Sequence, residues 1–280
     1  MIPAKTSKLL LIAVVMSLLT ACATSPTGRR QLMLISPDAA IVQSKQAYLT
    51  TVSDLDKQNK LIDDPKMSDR VGTITGRLVT EAIAMYPNTA NWEWSVAIID
   101  DPETVNAWCM AGGRMAVYTG LFKKLKLTDA EFAQIMGHEI SHALANHTAE
   151  RMSRAMATSV GIVAIGVMSD KPLATMAGGA MAAKVALELP NSRTAETEAD
   201  KIGMELAVRA GYDPDAAVSL WQKMGSMGGS APPEFLSTHP APGNREAELA
   251  AMIPEMRKLN PTGKLARVTA IEIVRDAPAP

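Results

Sequence analysis

Residues 128–142 read TDAEFAQIMGHEISH, and the rest of the chain is best understood outward from them. Thr128 stands at an N-cap with Glu131 three positions on, a capping box in which each side chain serves the other's backbone N–H. A helix therefore starts here, and its pattern predicts that it runs on past Glu150. His138 and His142 fall four residues apart inside it. At about 100° per residue they lie about 40° from alignment and one turn apart, so both imidazoles can grip one metal ion. Glu139 sits about 100° round from His138, close enough to act on a water beside the metal without ligating the metal.

A catalytic zinc takes three protein ligands and keeps one position open. The metzincin extension requires Gly at position 145 and His at 148; the chain has Ala145 and Thr148, which excludes that class. His147 lies about 180° from His138 on the helix wheel, cannot join the pair and reads as structural. The third ligand is sought in residues 192–200, SRTAETEAD. Glu196 and Asp200 are i, i+4 and share a face, whereas Glu198 points about 200° away from Glu196. If Glu196 binds the metal, Asp200 can accept the ring N–H of a liganding histidine. If Glu198 were the ligand, its same-face neighbours would be Thr194 and Ile202, which offer no carboxylate. Glu196 is therefore the predicted ligand, completing a His, His, Glu set for one Zn2+ ion.

Around this motif the remaining elements fall into place. Ser36-Pro37-Asp38 opens a helix to about residue 55, with an N-cap, a proline at N1 and an early acid. A second helix fits residues 68–86 and stops before Pro87. Residues 92–99 and 115–118 read as strands, with the pair Gly112-Gly113 implying a turn or a close backbone approach between them. Helices follow at 191–209, at 215–224 and at 245–259, and residues 268–274 suit an edge strand in the tail. Residues 156–189 are rich in Ala, Gly and Met and broken by Asp170-Lys171-Pro172. They read as a hairpin of two buried helices, or as a lid or membrane-facing hairpin; composition does not choose.

The first 21 residues are an address. Lys5 and Lys8 precede an apolar run at 9–19, and Leu19-Thr20-Ala21-Cys22 forms a lipobox-like cleavage region. Cleavage and lipidation at Cys22 would anchor the chain through residues 22–30, a short tether. It would also move the formal charge from -1 to -3. Ala23, not Asp, follows the cysteine, which by lipoprotein sorting rules places the chain on the periplasmic face of the outer membrane. With Cys22 acylated, Cys109 has no partner and is expected as a buried free thiol. Balanced charge, 28 Lys+Arg against 29 Asp+Glu, supplies no basic field for nucleic acid, and 47% hydrophobic content excludes a disordered chain.

Taken together, HEISH followed by SRTAETEAD resembles the CAAX prenyl protease/HtpX family of metallopeptidases (peptidase family M48). Three further segments resemble family elements: Asn106-Ala107-Trp108 with Gly112-Gly113 and Val117-Tyr118-Thr119-Gly120, then Ala210-Gly211-Tyr212-Asp213-Pro214, then Ser237-Thr238-His239-Pro240 with Arg245. Ala111 stands where the family has proline, and Trp108 where it commonly has Phe. The lipobox and TGRRQL resemble the periplasmic lipoprotein branch, and the lack of a tandem helical repeat after the protease domain sets the chain apart from repeat-bearing members.

The resemblance implies an α+β, mainly helical zincin-like metalloprotease domain at 31–260, with a small β-sheet beside the HExxH helix and a tail at 261–280. It implies zinc-dependent hydrolysis of misfolded or misassembled envelope proteins, with envelope assembly machinery as a partner class. Glu139 takes a proton from the attacking water and passes it to the leaving amine. Substrate is expected to add as an extended strand along the 115–118 edge, contacting Asn106, Ala107, Gly113, Met115 and Val117, because backbone pairing tolerates many sequences. The resemblance also places His239 near the metal, as a transition-state donor or as a fourth ligand that holds the site shut; read from the residues alone it is a loop histidine fixed before Pro240. Arg245 either stabilises an oxyanion or pairs with a carboxylate.

Overall fold

The runs Ser95–Ile99 (β3) and Arg114–Tyr118 (β5) lack the alternation of a half-exposed strand, and in the computed structural model both are covered on both faces. The structure describes residues 22–168, 192–227, 234–240 and 244–277. They fall into two compact units, one within Met1–Ala40 and Thr148–Leu189, the other within Ile41–His147 and Pro190–Pro280.

In the larger unit β5 pairs antiparallel with Ala107–Met110 (β4) and parallel with β3, and β3 pairs parallel with Glu272–Val274 (β6). The sheet order is β4-β5-β3-β6. Ala97, Ile99 and Ala116 face Tyr48 and Val52 of helix α1 (Pro37–Lys57). Val96, Ile98, Met115 and Val117 face the main core with α2 (Pro65–Met85) and α4 (Asp129–Leu144). A short helix α3 (Thr119–Leu125) follows β5 and leads into α4. The layers are completed by α6 (Arg193–Arg209), α7 (Asp215–Gly225), α8 (Glu234–Thr238) and α9 (Arg245–Arg257). This is the expected mainly helical α+β domain with a small sheet beside the HExxH helix.

Four expectations change. The helix that starts at Thr128 ends at Leu144: Asn146 is left-handed, with φ 56, and a separate helix α5 (His147–Met168) begins after it. Asparagine tolerates that conformation better than other β-carbon-bearing residues, so one residue suffices to stop the helix. The strand β4 lies where only a turn was expected, and it takes the outer place in the sheet. The edge strand expected at 268–274 is shorter, 272–274: as β6 it adds to β3, while Thr269 N donates to Gly76 O at 3.1 Å. The tether, finally, is a hairpin: Cys22–Thr24 (β1) pairs antiparallel with Arg30–Leu32 (β2) in the smaller unit. There Arg29 reaches Glu150 at 2.6 Å and Gln31 donates to the same carboxylate at 3.0 Å.

The leader expected at 1–21 lies outside the described residues, as do positions 169–189 of the Ala/Gly/Met-rich stretch. Among the described residues no helix is long and apolar enough to cross a membrane.

Candidate metal centre

Helix α4 is fixed at its start as the sequence predicts. Glu131 N donates to Thr128 Oγ1 at 3.2 Å and Thr128 N donates to Glu131 Oε2 at 2.8 Å. Lys223 and Ser219 of α7 donate to the same carboxylate at 2.6 and 2.9 Å. Two turns on, Gly137 meets Gly203 of α6. A β-carbon on Gly203 would come within 2.7 Å of His138 N, and one on Gly137 within 2.7 Å of Gly203 O. Two glycines thus let the backbones of α4 and α6 touch beside His138, which brings the acids of α6 over the histidines of α4.

Four side chains converge there. His138 Nε2 and His142 Nε2 are 3.1 Å apart. Glu196 places one carboxylate oxygen 3.2 Å from His138 Nε2 and the other 3.5 Å from His142 Nε2. His239, just past α8 and stacked on Phe235, sets its Nδ1 3.2 Å from Glu196 and 3.2 Å from His138 Nε2. One ligand atom from each of the four lies within 4.8 Å of all the others, and all four residues are buried. Three imidazoles and a carboxylate aimed at one point are the donor set of a borderline divalent ion. Beside them Glu139 Oε1 is buried without a hydrogen bond, 3.4 Å from His239 Nε2. These residues fit a metal ion and a carboxylate reserved for something not held by the protein itself.

In the metal-free protein these buried groups shift one another's titration. Burial lifts the Glu139 carboxyl above its ordinary range, only partly offset by His239 and His138. Burial works against the charged form of His138, but hydrogen bonds to Asp200 and Glu196 outweigh it and raise the pKa to about 9. For Glu196, burial is outweighed by hydrogen bonds from His138 and His239, which hold its carboxyl far below the usual range. Burial, with the charge of His138, pushes His142 well down.

Behind the ligands, Asp200 Oδ1 lies 2.9 Å from His138 Nδ1, the contact expected from its spacing to Glu196. Arg245 donates to that same oxygen at 2.5 Å and lies 3.5 Å from Glu196, its guanidinium 3.7 Å above the Trp221 ring. Of its two sequence readings, the structure gives the carboxylate pairing. His147 and Glu198 were missed. His147 Nδ1 is 2.8 Å from His142 Nδ1, and His147 Nε2 is 3.1 Å from Glu198 Oε2. On a continuous helix His147 would face away; the left-handed Asn146 turns it back onto His142, and asparagine just before it is the one available signal.

The expected substrate edge needs correction. Met115 and Val117 belong to β5, which is paired on both sides, and both are fully buried. Gly113 is in the turn, at φ 84, packed against Trp94. The outer strand on this side is β4, which starts at Ala107. Asn106 immediately precedes it, its side chain donating to Glu234 at 3.1 Å. Cys109 of β4 is a buried free thiol whose pKa is raised well up by burial and by neighbouring Glu139.

Comparison with known proteins followed the same residues. The profile of Peptidase family M48 matches residues 65–253. The chain is 37% identical over 166 residues to the mitochondrial metalloendopeptidase OMA1 of Arabidopsis thaliana, covering 59% of this chain and 32% of that protein. It is 29% identical over 248 residues to the OMA1 metalloendopeptidase of Bos taurus, covering 84% and 46%. It is 30% identical over 208 residues to the beta-barrel assembly-enhancing protease of Escherichia coli K12, covering 71% and 41%. The chain thus spans less than half the length of these relatives.

Proposed function

The chain belongs to peptidase family M48, and from that premise we propose that it is a zinc-dependent endopeptidase of the bacterial cell envelope. One observation carries the reading: His138, His142 and Glu196 converge while Glu139 stands beside them with a buried, unpartnered oxygen. His138, His142 and Glu196 would hold the ion, and a bound zinc supplies Lewis acidity toward a water and toward the scissile carbonyl. Glu139 accepts the proton of the attacking water and returns it to the departing amine nitrogen, a role that suits its buried oxygen beside the histidines. Asp200 holds His138 in the tautomer whose Nε2 is free to donate. The outer side of β4, from Ala107, pairs with no strand among the described residues and offers backbone groups to an extended peptide, a sequence-tolerant mode that suits the clearance of unfolded or misassembled chains.

The assembly-enhancing protease among the relatives supports an envelope quality-control role in contact with assembly machinery. The leader and Cys22 support a lipid anchor on the periplasmic face of the outer membrane. A second reading, a latent or chaperone-like zinc lipoprotein, is favoured by His239, which supplies a fourth donor and stands over Glu139.

Casein hydrolysis by wild type, Glu139→Gln and His239→Ala, with zinc stoichiometry for each, tests the proposal. Hydrolysis by wild type that Glu139→Gln loses while keeping its zinc supports the endopeptidase. A silent wild type made active by His239→Ala supports the latent form. A wild type without zinc contradicts both. Radiolabelled palmitate incorporation that Cys22→Ala abolishes tests the anchor.

A further inference from the structure

We propose that His147 and Glu198 are positioning residues for His142, acting through a directed hydrogen-bond relay that fixes which ring nitrogen faces the metal. The proposal rests on the metal-site reading above. His142 turns Nε2 toward Glu196 and His138, and turns Nδ1 the other way, 2.8 Å from Nδ1 of His147. Two facing ring nitrogens at that distance share one proton. If Nε2 of His142 is to give its lone pair to a cation, the proton belongs to His142 Nδ1, which donates to His147 Nδ1. His147 must then carry its own proton on Nε2, and that nitrogen lies 3.1 Å from Glu198 Oε2. Each group has its role set by the next, and the chain ends on a carboxylate, the group that can only accept. His142, His147 and Glu198 are all buried, at 5%, 3% and 4% exposure, so water does not substitute for the protein partners.

Two backbone features make the relay. The left-handed Asn146 ends α4 and sends His147 back beside His142; five residues on in an unbroken helix, it would stand about 140° away. Helix α6 presents Glu196 to the ligand cluster and Glu198 to His147, so two acids two residues apart serve different ends of one histidine pair. Groups that hold a ligating imidazole in this way typically contribute about 10–100-fold to metal affinity.

The test is zinc affinity of the full chain, by competition with a chromophoric chelator, for wild type, His147→Phe, His147→Gln and Glu198→Gln, alongside thermal melts of the metal-free proteins. An amide offers an acceptor and a donor at nearly the imidazole spacing, so Gln can rebuild the relay and Phe cannot. His147→Phe is expected to weaken zinc by about 10–100-fold while His147→Gln stays within several-fold of wild type. Glu198→Gln keeps an acceptor but loses the charge and is expected to fall between them. Zinc held by His147→Phe as tightly as by wild type overturns the proposal, and so does a Gln variant as weak as Phe, which marks a packing role. Should the Phe variant not fold, Glu198→Gln with wild-type affinity overturns it. A wild type that binds no zinc sinks the metal reading itself, an outcome distinct from tight wild-type binding that no variant changes.

Discussion

His138 and His142 stand one turn apart on one helix, yet what lies behind them differs in kind and in length. Behind His138 is a carboxylate, Asp200, whose oxygen also takes a hydrogen bond from the buried guanidinium of Arg245. Behind His142 is a second imidazole, His147, and only then the carboxylate of Glu198. The first support is one group deep, and its oxygen is shared with Arg245; the second is two groups deep, running through the His147 ring to Glu198. On the proposed metal-site reading, two ligands of one ion are held by unlike means, and the two supports should fail differently.

Asp200→Ala breaks the short support and strands Arg245 in the core without its acid. Loss of one partner of a buried pair costs about 3–5 kcal/mol, so urea unfolding should register a loss of that size together with weakened metal binding. A smaller change than about 1 kcal/mol would mean that Trp221 and Glu196 suffice to hold Arg245. Gly203→Ala acts on both supports at once by pushing α6 off His138. Such overpacking costs about 1–3 kcal/mol, and the variant should lose metal affinity beyond that of either single support.

The pH dependence of the metal-free protein separates the two histidines next. Asp200, Glu196, Arg245, His142, Glu139 and His239 face His138, and its pKa is raised from 6.5 to about 9. A raised histidine contributes stability that is complete below pH 6.5 and is lost as pH climbs through about 9. One proton gives at most about 1.4 kcal/mol per pH unit, so melts between those limits should fall in steps of that order or less. Asp200→Asn should flatten the slope, whereas His147→Gln should leave it in place. Thr128→Ala is the mildest change: it loosens the start of α4 without touching either support, and should cost about 1 kcal/mol with zinc affinity unaltered.

How much of this is legible in the sequence follows from how local each feature is. The capping box at Thr128 and Glu131 and the i, i+4 pairs His138/His142 and Glu196/Asp200 are readable because helical geometry alone relates their members. His147 was misjudged because a single left-handed residue, Asn146, resets the helical phase, and nothing in the spacing of apolar residues marks that event. The strand Ala107–Met110 was missed because Cys109 and Met110 carry no β-branched signal. Its outer place, which removes Met115 and Val117 from any free edge, comes from a local hairpin with β5, whose other side is taken by β3. Strand β6 lies within the edge strand expected at 268–274, but its partner β3, more than 170 residues away, is not legible; nor is the pairing of Cys22–Thr24 with Arg30–Leu32, whose first part reads as a tether because its residues are polar and its partner Glu150 is distant.

The assignment of Glu196 rather than Glu198 as the metal's carboxylate is the hinge of the account, because it fixes both the ligand set and the two supports. Zinc stoichiometry and affinity of Glu196→Gln against Glu198→Gln test it directly. The account predicts that Glu196→Gln loses stoichiometric zinc and Glu198→Gln keeps one ion per chain with reduced affinity. One firmly held zinc in Glu196→Gln, with zinc lost from Glu198→Gln, would contradict it.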